Sequence, residues 1–158
     1  LWGNLWFDSV MKLLPALFAT LFFIVAGADA EPELLLYGGE NNKKFLGCLN
    51  CNKFDSSSVW NKYGTYGSKF NGDSIWNKFG TYGSKFSVHS PWNRYSTDGP
   101  IIVDKRGNSY GYFTSNRYRN QTNIKWAVWI LDNYDSVVEN FDDVARRIGT
   151  NWEHSKCD

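Results

Sequence analysis

Histidine, methionine and proline are nearly absent from this sequence, and so is net charge. Across 158 residues there are 2 His, 1 Met, 4 Pro and 3 Cys, and 17 basic against 16 acidic residues leave a formal charge of +1. So few His and Cys make most nucleophilic and metal constellations hard to assemble. No phosphate-binding glycine loop, nucleophile elbow or His-Glu metal motif occurs, and the carboxylates are scattered. No catalytic residues and no cofactor are therefore expected. Near-neutrality gives no bulk reason to expect a nucleic-acid binder or an acidic tail. What is abundant is aromatic: 8 Trp, 9 Tyr and 11 Phe, beside 14 Gly. That mixture is too apolar for disorder and too glycine-rich for a plain helical bundle, so one small globular domain is the expectation.

The single methionine, Met11, precedes Lys12 and an apolar run from Leu13 to Ala26, after which Ala28-Asp29-Ala30 sets small residues at the positions a signal peptidase reads. This pattern predicts a signal peptide over 11–30 with cleavage before Glu31, residues 1–10 being upstream sequence or a misassigned start. The rival reading, a membrane anchor, needs about 20 apolar residues, more than this run supplies. The cleavage point carries no Cys for lipidation, and no later segment reads as a membrane span. A mature chain of 31–158 has 16 basic and 14 acidic residues, a net +2.

Within it lies an internal repeat of period 16 over 47–95. Ser58-Val59-Trp60-Asn61-Lys62-Tyr63-Gly64-Thr65-Tyr66-Gly67-Ser68-Lys69-Phe70 recurs as Ser74 to Phe86 with two conservative changes, Val59 to Ile75 and Tyr63 to Phe79. A third copy begins at Ser90-Pro91-Trp92-Asn93-Arg94-Tyr95, and backwards the pattern reaches Cys48-Leu49-Asn50-Cys51-Asn52-Lys53-Phe54, with cysteines in the glycine columns. Fixed-period self-similarity predicts stacked units that share a continuous core. Each unit reads as a polar N-capping run, about one helical turn through the Trp, and a glycine in a left-handed C-terminal position.

The recurring columns are Trp60/Trp76/Trp92, Asn61/Asn77/Asn93, Ser58/Ser74/Ser90, Lys53/Lys69/Lys85 and Lys62/Lys78/Arg94. The tryptophans are expected to form the repeat's core together with Phe54/Phe70/Phe86, with the Asn side chains capping backbone groups. The alternative is a ladder on which bases or sugars stack. His89 falls in a variable column held elsewhere by Ser57 and Asp73, and reads as a surface loop residue. Residues 43–125 carry 13 basic against four acidic residues, net +9. This basic, aromatic-interleaved stretch either holds a polyanion, nucleic acid or an anionic envelope polymer, or is a solvated face paired with the acidic C-terminal part.

After the repeat, 100–114 reads as a β-hairpin turning at Gly107-Asn108, and Leu34 to Tyr37 as a further strand. Over 122–149 the sequence reads as helical. Ile124 to Leu131 is a buried helix capped by Thr122 or Asn123, with a strand as the alternative. Ser136 and Glu139 have capping-box spacing, and Val137, Phe141, Val144 and Ile148 fall on one face. The fold class expected is α+β.

Cys48, Cys51 and Cys157 are an odd set for an exported chain, so one disulfide and one leftover thiol are expected. Either repeat cysteine joined to Cys157 ties the array to the tail. A Cys48–Cys51 redox pair and a zinc site completed by His154 are the functional rivals.

The run Phe45-Leu46-Gly47-Cys48-Leu49, the Ser-x-Trp-Asn-Lys-Tyr-Gly-x-Tyr-Gly-Ser units, and Pro100 to Asp104 with Gly111-Tyr112 resemble a family of small exported bacterial proteins over about residues 34–115. The resemblance implies a periplasmic or secreted location and no catalytic residues. The function expected is a non-catalytic binding or structural module of the cell envelope, with an envelope polymer or a protein as partner. Its alternatives are a thiol or other envelope enzyme using Cys48 and Cys51, and polyanion binding through the Lys and Trp columns.

Overall fold

The computed structural model describes residues 31–148; the expected signal segment, His154 and Cys157 lie outside them. Four short strands, β1 (Leu35–Gly38), β2 (Lys44–Cys48), β3 (Ile101–Val103) and β4 (Ser109–Tyr112), form one antiparallel sheet in the order β2-β1-β3-β4. Three helices follow, α1 (Lys125–Asp132), α2 (Tyr134–Glu139) and α3 (Phe141–Ile148). The class is α+β.

The repeat is a long excursion between two strands. The chain leaves the sheet at the end of β2 and returns at β3, which pairs with the other edge of β1. The exit is continuous with the sheet: Cys48 accepts from Val59 N–H and donates to the Ser57 carbonyl, in a parallel bridge with Ser58. Gly47 is required there. Its φ is +113°, and a Cβ would lie 2.8 Å from both Val59 Cγ1 and Tyr66 Cβ.

The tryptophans are the core, as their column suggests. Trp60, Trp76 and Trp92 are buried, and successive ring centroids are 5.2 Å apart. Each indole N–H donates one coil back: Trp60 to the Leu49 carbonyl (2.7 Å), Trp76 to Val59 (2.6 Å), Trp92 to Ile75 (2.5 Å). Beside them the fully buried Ser58, Ser74 and Ser90 hydroxyls accept the backbone N–H of the Trp two residues on. The Asn column caps backbone as expected. Asn61, Asn77 and Asn93 donate from Nδ2 to the carbonyl six residues earlier, and their Oδ1 accepts the N–H two residues later.

Two local expectations fail. No helical turn forms through the Trp; the units are chained i to i+3 turns such as Ser58–Asn61 and Asn61–Gly64, with a single i to i+4 bond from Ser68 to Gly64 and from Ser84 to Gly80. Their Asn and Ser side chains supply the backbone's partners, so no helix is needed to satisfy it. The repeat glycines are also not left-handed caps. Gly67 and Gly83 serve close approach, since a Cβ on either would meet the carbonyl oxygen of Asn61 or Asn77 at 2.3 Å.

The helices cover the tryptophan face. Phe141 lies 5.4 and 5.3 Å from the Trp60 and Trp76 rings, and Tyr134 lies 4.6 Å from Trp92. Ile124 to Leu131 is helical, but the N-cap position is Ile124, without a side-chain cap, and Thr122 Oγ1 accepts the Ile124 N–H. The apolar face expected to run on from a cap at Ser136 is instead shared by two helices, α2 and α3, so Ser136 lies inside α2 and is not its N-cap. Asn133 and Asn140 cause both breaks: each side-chain amide donates to the carbonyl four residues back, at Trp129 and Ser136, while its own backbone turns out of helical geometry.

Replacing Trp76 by Phe keeps a ring but leaves the buried Val59 carbonyl without its donor. The expected loss is about 1–3 kcal/mol in urea unfolding, whereas Phe70→Ala stays within about 0.5 kcal/mol of the parent.

Candidate functional site

The ring columns divide sharply between inside and outside. Phe54, Phe70 and Phe86, expected in the core, point into solvent, and so do Tyr63, Phe79, Tyr95 and Tyr118; the seven rings are between 82% and 96% exposed. The physical reason is crowding. Each coil fills its interior with one Trp, the aliphatic residue or Pro before it and a Ser, which leaves no inward position for a second ring. So many exposed large apolar side chains on one small domain make these rings the candidate contact groups.

Every one of the seven is directly preceded by a cation: Lys53, Lys62, Lys69, Lys78, Lys85, Arg94 and Arg117. The local fold repeats with the dipeptide. A side-chain oxygen two residues before the ring accepts the ring residue's N–H, from Asn52, Asn61, Ser68, Asn77, Ser84, Asn93 and Asn116. Asn116-Arg117-Tyr118 thus reproduces Asn93-Arg94-Tyr95 outside the array, with the Asn116 amide donating to the Ser96 carbonyl. In three dyads the lysine lies over its own ring, 5.3 Å for Lys53, 5.5 Å for Lys62 and 5.0 Å for Lys78. The exposed rings do not stack on one another.

Two shallow depressions lie where dyads meet the helix breaks. One is lined by Lys62, Tyr63, Lys69 and Phe70 against the α2–α3 junction at Asn140. The other gathers Lys85, Arg94, Tyr95, Arg117 and Tyr118 against Asn133 between α1 and α2.

The basic columns split in two. Lys62 pairs with Asp142 (2.9 Å), Lys85 with Asp135 (3.1 Å) and Arg117 with Asp132 (3.1 Å), which is the pairing with the acidic C-terminal part anticipated for a solvated face. The Lys62 hydrogen bond raises that ammonium's pKa and lowers that of the Asp142 carboxyl. Lys53, Lys69, Lys78 and Arg94 have no ion-pair partner among the described residues.

Trp60 and Trp76 offer no ring face to a ligand, since they are buried between neighbouring coils and the helices, and Trp92, also buried, contributes only to the wall of the depression between α1 and α2. What the columns were missing was the neighbouring ring, and the Lys/Arg-aromatic dipeptide recurring seven times was the available signal. His89 lies in a turn and is partly exposed, with Nδ1 2.7 Å from Asp98 Oδ2.

The cysteines are bonded to each other. Cys48 and Cys51 form a disulfide, so neither is joined to Cys157, and neither offers a thiolate to zinc. Three residues apart, they lock the first coil where it leaves β2, and both are buried. Asp104 shapes the β3–β4 turn: its carboxylate accepts from Asn108 Nδ2, from the N–H of Asn108 and Arg106, and from the Tyr110 hydroxyl, in that way holding its pKa below the usual carboxylate range. Among the described residues no helix is long and apolar enough to cross a membrane.

No family model, curated protein or solved structure matches the chain.

Asp55, Asp104 and Asp142 all have lowered carboxyl pKa values, each led by a side-chain hydrogen bond, from Ser57, Asn108 and Lys62. Depressed folded-state values stabilise the fold above the unfolded carboxylate pKa of about 4 and are lost as pH falls through them. Thermal melts should therefore hold steady from neutrality to about pH 5 and fall below pH 4, and Asp104→Asn should flatten that acid limb.

Proposed function

We propose that this protein is an exported, non-catalytic binding module that grips an extended anionic partner polymer along its coil. The observation that carries the reading is the set of seven exposed rings, each with a cation at its shoulder. A catalytic site concentrates different groups at one point; these dyads repeat the same two groups along an array. Repetition suits a partner that itself repeats, because each coil adds a contact of the same kind and weak contacts multiply. Export is supported by the signal-like segment over 11–30 and by a disulfide, which persists in oxidising compartments. A cell-envelope setting accords with the resemblance to small exported bacterial proteins.

The thiol-enzyme reading is weaker, because a reactive cysteine pair needs an accessible sulfur and Cys48 is fully buried. Two measurements test the proposal. Retention on immobilised heparin should fall steeply with added salt, and reversing Lys69 and Lys78, two of the four unpaired dyad cations, to Glu should abolish it without lowering the melting temperature; salt-independent retention counts against it. Replacing Cys48 and Cys51 by Ser should cost about 2 kcal/mol of stability and leave retention unchanged in the variant that remains folded; loss of a thiol-dependent activity with the fold intact would favour the enzyme.

A further inference from the structure

Two properties of the dyads narrow the class of polymer. First, cations and rings occur one to one: seven rings, seven cations, each pair adjacent in sequence. A partner that matches them unit by unit carries one negative charge and one flat face per repeat. Second, much of the hydrogen-bonding capacity nearest the rings is already used. Both ends of the Asn61, Asn77 and Asn93 amides bond backbone groups, and the Ser68 and Ser84 hydroxyls accept from Phe70 and Phe86. A glycan, dense in hydroxyls, is recognised through many side-chain donors and acceptors; here the columns offer charge and ring faces.

Resting on the polyanion reading above, we infer that the dyads bind single-stranded nucleic acid without sequence preference, bases stacking on the exposed rings and phosphates meeting the adjacent cations. A single strand has one phosphate and one free base face per nucleotide, and stacking on aromatic side chains is sequence-tolerant because every base has a π-face. Rings more than four-fifths exposed and unstacked on one another offer such bases at least one open face, the lysine of the dyad lying over the other in Phe54, Tyr63 and Phe79. Lys53, Lys69, Lys78 and Arg94 stand beside Phe54, Phe70, Phe79 and Tyr95 without an ion-pair partner among the described residues, so they meet phosphate without first breaking a salt bridge there. Asp132, Asp135 and Asp142, which flank the depressions and oppose a polyanion, are each neutralised by a dyad cation. In duplex DNA the base faces are stacked inside, so only the phosphates remain accessible.

The test is fluorescence anisotropy of the folded 31–158 protein with a labelled oligothymidylate of about a dozen nucleotides, against a duplex of equal length, heparin, and phosphatidylglycerol vesicles. The expected result is binding to the oligothymidylate at least tenfold tighter than to the duplex, with a log–log salt slope of about −3 from the four unpaired cations. Phe70→Ala with Phe79→Ala should weaken that binding about tenfold or more, with melting unchanged because both rings are exposed. Lys105→Ala, a cation paired with Glu33 and not followed by a ring, should leave it unchanged. Equal binding to the duplex, heparin or vesicles, or an oligothymidylate affinity indifferent to the two ring substitutions, overturns the single-strand inference and leaves the polyanion reading standing. Binding to none of the four probes at low salt overturns both.

Discussion

Each coil of this protein hangs on the one before it through a single donor. An indole N–H buried among apolar neighbours has to find an acceptor, and in successive coils it finds the carbonyl of the residue preceding the previous tryptophan. That bond sets the stacking of the coils, and the 5.2 Å ring spacing follows from it. The remaining backbone satisfaction is local, from Ser hydroxyls and Asn amides inside each coil, which lets the array dispense with both helix and strand. The sheet and the three helices then have defined tasks: the sheet anchors where the coil begins and ends, and Tyr134 and Phe141 close the tryptophan face.

The same constraint explains the outside. An interior filled by Trp, Ser and an aliphatic residue or Pro has no vacancy, so the three other rings of a full unit divide between a flank and the solvent. Tyr66 packs on Phe45 at the sheet, while Tyr63 and Phe70 stand free. Their stems are fixed by the Asn and Ser acceptors two residues before them, so the exposed rings are presented at set positions instead of on mobile loops. A surface of rigidly held rings loses little entropy when it is covered.

Much of this was legible in the residues and some was not. The period of 16, the buried tryptophans, the capping asparagines, the hairpin and the buried face of the last helices all follow from spacing. Phe54, Phe70 and Phe86 could not be placed by hydrophobicity, because it does not register that the interior is already full; position relative to Trp, and the cation before each ring, carry that information. The broken terminal helix escaped periodicity because Val137 and Phe141 keep their phase across the break at Asn140, where a side-chain amide competes for a backbone carbonyl. The disulfide partner was undecidable from three cysteines and was settled by geometry at the first coil.

The helical cover has a consequence for how long such an array can be. Tyr134 and Phe141 together reach Trp92, Trp76 and Trp60, three rungs and no more. A duplicated 16-residue segment would leave β1 and its two partners in register, since the excursion opens and closes on neighbouring strands, yet it would uncover one indole face that these helices are too short to roof. The lid therefore acts as a ruler: copies of the unit can be gained only in step with added helix, which ties the extent of the ring-bearing surface to a part of the chain that carries none of the repeat.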